Sequence, residues 1–287
     1  MSICGLMTCA AAAVALLVVA NVRAAEPELV GHWEGTMVSH NQSIPVVFDF
    51  TRGAHDLEGR FTSLTQAAMD YPLDKVALDR THVTLKLGGS MAFDGALNAD
   101  TTADTIADTF KNDEMSGAFS LRRAVPPELP YAVDDVSFRN GDVVLAGSLC
   151  LPRTPGPHAA VVLLHGSGPE SRWGTSRYIA DRFARTGIAT LIYDKRGSGI
   201  SAGDWRTASY DDLARDALAG VKLLASRADI DRARIGLHGH SQGGAIAPLA
   251  ATLAPNQIAF IVAEDTLPAR RRTRTSIASG PPCPNSI

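Results

Sequence analysis

Five residues, Gly239-His240-Ser241-Gln242-Gly243, constrain the fold of this chain more than any other feature. The segment before them, Ala233-Arg-Ile-Gly-Leu-His-Gly239, has the character of a short buried strand. The segment after them, Gly244-Ala-Ile-Ala-Pro-Leu-Ala-Ala251, reads as the start of a helix. Gly-x-Ser-x-Gly between strand and helix requires a sharp turn that holds the serine at its tip. The flanking glycines are needed because side chains there would collide with the neighbouring backbone.

Around this turn, buried-strand and helix patterns interleave. Asp135-Val-Ser-Phe138 and Asp142 to Leu149 read as a hairpin turning at Asn140-Gly141. Ala159-Ala-Val-Val-Leu-Leu164 and Ile188-Ala-Thr-Leu-Ile-Tyr193 are apolar runs of strands covered on both faces. Tyr178 to Arg185 reads as a helix ending at Gly187. Ser209-Tyr-Asp-Asp212 resembles a capping box, opening a helix with Leu213, Ala217, Val221 and Leu224 on one face. Ile235 to Leu237 and Ile258 to Val262 add two strands. The expectation for residues 133–265 is a parallel sheet with helices on both faces.

Residues 26–124 have a different texture, that of an all-β domain. Val83, Leu85 and Leu87 alternate with polar residues, as do Trp33 and Met37, and Val46-Val-Phe-Asp-Phe50 and Ala118-Phe-Ser-Leu121 are further short strands. Glycines recur within them at 35, 59, 95 and 117, where they permit the bends of a small barrel or sandwich. Val125-Pro-Pro-Glu-Leu-Pro130 is stiff and donor-poor, so residues 125–132 are expected to be a linker.

Composition excludes some classes. Hydrophobic residues at 45% and charged residues at 20% belong to a globular chain, and a net charge of −3 gives no footprint for nucleic acid. Ala10 to Ala20 is an unbroken apolar run, too short to span a bilayer, followed by the small-residue cleavage pattern Val22-Arg23-Ala24-Ala25. Residues 1–25 are therefore expected to be a signal peptide and the protein secreted or periplasmic, with a membrane as partner only if the segment stays uncleaved. Removing it leaves Cys150 and Cys283, one on a core strand and one in the tail, so no structural disulfide is expected. His238 and His240 share a strand face, but no carboxylate or thiolate accompanies them at ligand spacing, so neither a metal nor another cofactor is expected.

Three motifs fall at strand ends in a fixed order: His165-Gly166-Ser167-Gly168, Asp194-Lys-Arg196-Gly197-Ser-Gly199, and Gly239 to Gly243. With them the chain resembles the α/β-hydrolase superfamily, in particular secreted bacterial serine hydrolases of esterase or aminopeptidase type with a small β domain ahead of the hydrolase domain. The resemblance implies Ser241 as nucleophile and the backbone N–H groups of Ser167 and Gln242 as oxyanion-hole donors. It further implies structural roles for His165, Gly166, Gly168, Asp194, Arg196, Gly239 and Gly243. Asp194 and Arg196, a charged pair at a strand's C-terminal end, invite a catalytic reading, but the resemblance implies that their side chains tie down a glycine-rich turn.

One part of the resemblance fails. In such hydrolases an acid and then a histidine follow the serine. The eight histidines here stand at 32, 40, 55, 82, 158, 165, 238 and 240, and none follows Ser241. Glu264 and Asp265 come one strand early for the usual acid. Residues 266–287, with the basic run Arg270 to Arg274, show no apolar periodicity and read as a solvated, non-domain tail. The expectation is an incomplete α/β-hydrolase fold, truncated or frame-shifted near Glu264. Its function would be that of a serine hydrolase by descent, acting on a small-molecule ester or a peptide through an acyl-enzyme and inactive as this chain. The competing expectation is a non-enzymatic envelope protein that binds a ligand or partner beside a degenerate hydrolase domain.

Overall fold

Two sheets organise the computed structural model, which describes residues 28–98 and 104–264. The expected signal segment and the tail from residue 266 lie outside the described residues. The first sheet contains β1 (Gly31–Ser39), β2 (Gln42–Arg52), β3 (Leu57–Ser63), β4 (Ala68–Pro72) and β5 (Lys75–Asp79). It is completed by β6 (His82–Leu87), β7 (Met91–Asn98), β8 (Thr105–Lys111) and β9 (Ser116–Ala124). Among the described residues these nine strands form one antiparallel sheet, in the order β4-β3-β2-β1-β9-β8-β7-β6-β5. Its two ends approach each other. The Leu73 N–H donates to the Gly59 carbonyl across 2.9 Å, and Val76 of β5 joins the core that β1, β2 and β3 line. The expected barrel or sandwich is therefore a single sheet wound into an incomplete barrel around one core. The alternation read in the sequence aims Trp33, Met37, Val46, Phe48, Phe50, Val83, Leu85, Phe119 and Leu121 into that core, each at most 3% exposed. Phe93 sits at its centre, edge-on to Phe48 and Phe119 at centroid distances of 5.2 and 5.4 Å.

The second sheet comprises β10 (Tyr131–Asn140), β11 (Val143–Pro152), β12 (His158–Leu164), β13 (Ala189–Tyr193), β14 (Ile230–His240) and β15 (Phe260–Glu264), in the order β10-β11-β13-β12-β14-β15. It is parallel only over β13-β12-β14-β15, since the β10–β11 hairpin runs antiparallel to β13. β10 begins at Tyr131, inside the expected linker, because that tyrosine is buried and its hydroxyl donates to Asp181.

Among the described residues three helices cover the second sheet: α1 (Thr175–Arg185), α2 (Tyr210–Ala225) and α3 (Gln242–Leu253). The pleat explains why β12 is apolar from Ala159 onward. Ala160, Val162 and Leu164 face a core shared with α2 and α3, whereas Val161 and Leu163 face α1. Both halves of the Ser209–Asp212 capping box form, with the Ser209 hydroxyl accepting from the Asp212 N–H and the Asp212 carboxylate accepting from the Ser209 N–H. β15 is an edge strand on which Phe260, Ile261 and Val262 are all exposed.

The order in which strands are added reverses at the middle of this sheet, although the strands there are parallel. From β12 the chain crosses to β13 on one side and later returns to β14 on the other. The crevice beyond the carboxyl ends of β12 and β14 is the place where open α/β sheets hold ligands.

Candidate active site

Ser241 links β14 to α3 at this crevice. Its backbone adopts φ 49° and ψ −111°, a positive φ that costs a non-glycine residue about 1–2 kcal/mol. Backbone crowding holds it there. A Cβ at position 239 would strike the Gly243 carbonyl group, and one at position 243 would strike the carbonyls of Leu164 and His165. The Ser241 N–H donates to the Glu264 carbonyl across 2.9 Å, which fixes the turn against the end of β15. Gln242 is the first residue of α3, so its N–H lies at the positive end of that helix.

The loop after β12 lies against the elbow. A Cβ built on Gly166 would come 3.6 Å from the Ser241 Cβ and 3.4 Å from the His240 ring, which places the two loops in van der Waals contact, and 2.7 Å from the Glu170 carboxylate. The preceding residue, His165, is buried, and its Nε2–H donates to the Tyr193 carbonyl across 2.6 Å. Burial, reinforced by the Lys195 charge, lowers its pKa to about 4 and keeps the ring neutral. Ser167 follows in the same loop, and Gly168 has φ 102°. Farther along, the Glu170 carboxylate accepts the Gly166 N–H at 3.2 Å.

The turn after β13 supplies the third wall. Asp194 and Arg196 do not pair with each other, contrary to the reading of a charged pair. The Asp194 carboxylate accepts from the backbone N–H groups of Arg172 (2.9 Å) and Ile200 (3.2 Å), tying the β12 loop to the glycine-rich turn. Arg196 instead forks onto Asp216 of α2 with two bonds of 2.7 Å. The reason is reach: the guanidinium extends to the helix, while the short aspartate can serve only nearby amides.

Between these two residues stands Lys195, to which the sequence pattern assigns nothing. It is 3% exposed. Its ammonium donates to the Gly166 carbonyl at 2.7 Å and to the Gln242 side-chain Oε1 at 2.8 Å. Burial lowers its pKa, against an opposing pull from Glu170. The signal available in the sequence was only its position in the motif.

His238 and His240 line a cleft of about 580 Å³ at the strand ends. His238 Nε2 lies 3.5 Å from the Glu264 carboxylate, and burial lowers its pKa although Glu264 opposes the shift. Among the described residues no cluster of three or more ligand-type side chains could hold a metal. Asp265 lies outside the described residues.

The first sheet lines this cleft with Ala67 of the β3–β4 connection and Ala68 and Tyr71 of β4, alongside Trp173 and Ile179. The contact is a built joint. Met69 and Gly174 exchange backbone hydrogen bonds of 3.2 and 2.8 Å. The Arg177 Nε–H donates to Asp70 at 2.8 Å, and the Arg60 guanidinium stacks 3.9 Å above the Trp173 ring. None of these pairings was legible in the sequence.

Residues 155–265 match the family model described as serine aminopeptidase, S33. Esterase EstD of Thermotoga maritima is 36% identical over 131 residues, covering 42% of this chain and 31% of that protein. Quorum-quenching protein AidA of Acinetobacter baumannii is 30% identical over 137 residues, covering 47% of this chain and 44% of that protein. The chain thus spans less than half the length of these two curated relatives. Among solved structures, the Pyrococcus furiosus esterase Pf2001 superposes with a TM-score of 0.42 at 27% identity, covering 50% of this chain and 55% of that one. A hypothetical protein of Pseudomonas aeruginosa, PA2218, gives 0.46 at 27%, covering 50% and 45%.

Proposed function

Because its second half belongs to the α/β-hydrolase superfamily, we propose that this chain carries the nucleophile half of a serine esterase, with Ser241 attacking the substrate carbonyl. The reading rests above all on one juxtaposition: a strained serine at a strand–helix turn, with the Gly166 loop packed against it. Attack by the Ser241 oxygen places negative charge on the former carbonyl oxygen. The Gln242 and Ser167 N–H groups are the donors assigned to it, and each such donor is worth roughly 3–4 kcal/mol. Expulsion of the alcohol leaves an acyl-serine, which water hydrolyses to the acid. A small-molecule ester with an apolar acyl group suits a cleft walled by Tyr71, Trp173 and Ile179. An ester is preferred to a peptide because the name of the curated relative EstD is that of an esterase. The apolar run Ala10 to Ala20 and the small residues after it support a secreted or periplasmic location.

The missing step is proton removal from Ser241. No histidine follows it in these 287 residues, and an unassisted serine hydroxyl is a weak nucleophile at neutral pH. The chain alone should therefore hydrolyse p-nitrophenyl butyrate little faster than its Ser241→Ala variant. What remains is the roughly 10³–10⁴-fold advantage over water that oxyanion donors and binding supply without a triad. With the protein-free hydrolysis by imidazole subtracted, added imidazole, a diffusible base, should accelerate the chain and leave Ser241→Ala unchanged. Equal stimulation of both proteins would refute the nucleophile assignment. Vigorous Ser241-dependent turnover without imidazole would refute the inactivity, and would direct attention to His238 or His240.

A further inference from the structure

Lys195 joins three loops that the sequence places far apart. Its ammonium stands at the carboxyl ends of three adjacent strands, β13, β12 and β14. It grips one loop from each neighbour: the Gly166 carbonyl after β12 (2.7 Å) and the Gln242 side chain after β14 (2.8 Å). Its own N–H donates to the Glu170 carbonyl at 3.1 Å, and the Glu170 carboxylate holds the Gly166 N–H at 3.2 Å.

The two gripped groups belong to the two residues that matter for the oxyanion. The Gly166 carbonyl and the Ser167 N–H are opposite ends of one peptide unit, and in a planar trans peptide they point in opposite directions. Holding the carbonyl oxygen on Lys195 therefore fixes the direction of the Ser167 N–H on the other side. A cation on that oxygen also polarises the peptide, which makes its N–H a stronger donor. At the second loop the same ammonium anchors the Gln242 side chain, limiting rotation of the residue whose backbone N–H is the other donor.

We propose that Lys195 is a positioning residue that sets the direction and strength of both oxyanion donors by bridging the Gly166 carbonyl and the Gln242 side chain. The inference rests on the esterase reading for its chemical meaning, but its geometry can be tested without turnover. In sheet-top sites of this kind a buried ammonium could instead serve only to satisfy loop carbonyls, and the experiment separates the two.

Lys195→Met keeps the stem and removes the charge, and Lys195→Arg restores a cation. In the 287-residue protein, the Ser167 backbone ¹⁵N resonance and the Gln242 side-chain amide should shift in Lys195→Met and move back toward the original positions in Lys195→Arg. Resonances of the first sheet should stay in place. Butyl boronic acid, which forms a tetrahedral anion, should bind Lys195→Met at least about tenfold more weakly, below the roughly hundred- to thousandfold cost of deleting a donor. A neutral butyl methyl ketone should bind both proteins equally. An unmoved Ser167 resonance, or equal weakening of boronate and ketone, would overturn the proposal. If Lys195→Met fails to fold, Lys195→Arg decides: a Ser167 resonance and a boronate affinity both unchanged from the unsubstituted chain support the cation bridge, and loss of both overturns it. A parent chain that binds no boronate would refute the esterase reading, and the Ser167 resonance would still test the bridge.

Discussion

Neutralising Asp70 should cost far more than a surface acid normally does, because its partner cannot escape to water. The Arg177 side chain is 2% exposed and that of Asp70 24%. Besides the 2.8 Å bond to Asp70, the guanidinium donates to the Tyr131 hydroxyl at 3.1 Å. That hydroxyl in turn donates to Asp181, whose carboxylate is shared with Arg185. Without Asp70 the buried cation keeps only neutral partners, the Tyr131 oxygen and the Cys150 sulfur at 3.6 Å. Breaking a buried pair costs about 3–5 kcal/mol, and the partial exposure of Asp70 lowers the expectation to about 2 kcal/mol. Asparagine is the appropriate replacement, because position 70 has φ 54° and asparagine tolerates that region while keeping the shape. Urea unfolding followed by both circular dichroism and tryptophan fluorescence measures the loss. Arg177→Met should cost less, since the freed carboxylate can hydrate, and the double variant should be no worse than Asp70→Asn alone. A loss below about 0.5 kcal/mol, the scale of an exposed pair, or strict additivity in the cycle would refute the reasoning.

Two further outcomes follow from the site. His165 keeps a pKa of about 4 when folded against 6.5 otherwise, so the unfolded chain takes up its proton first as the pH falls. Its contribution is complete above pH 6.5 and is lost between there and pH 4, about 3 kcal/mol at most; urea midpoints against pH should lose that slope in His165→Asn. Tyr71→Ala opens the cleft wall and should shift imidazole-assisted turnover, or alkyl boronate affinity, toward longer chains; an unchanged chain-length profile would remove Tyr71 from the substrate wall.

Much of the fold was legible because it is local. The apolar runs of β12 and β13, the capping box at Ser209 and the glycines around Ser241 each follow from nearest-neighbour sterics or from a pleat covered on both sides. The partners of charged groups were not. Arg196 and Asp194 look like a pair at two residues' spacing, yet Arg196 serves Asp216 twenty residues on and Asp194 serves amides. Arg177 and Asp70 lie 107 positions apart, and nothing at either site announces the other. Lys195 illustrates the same limit. A lysine in a glycine-rich turn reads as solvated until three strand ends converge on it. β4 was also hidden, since Ala68–Pro72 has no apolar alternation and is held by Gly174 as much as by its own sheet.

The Met69–Gly174 strip has a consequence for how this architecture can be recombined. The proline-rich segment between the sheets invites domain exchange, because it is exposed and short of hydrogen-bond donors. Yet the loop that begins at His165 ends at Gly174, and there its backbone is paired to the first sheet. A foreign N-terminal module joined at residue 125 would have to reproduce a matching backbone donor and acceptor, and an acid facing Arg177. Otherwise the graft would leave one end of the Gly166 loop unanchored. The seam that matters for a chimaera therefore lies at β4, more than fifty residues upstream of the linker where the chain invites a cut.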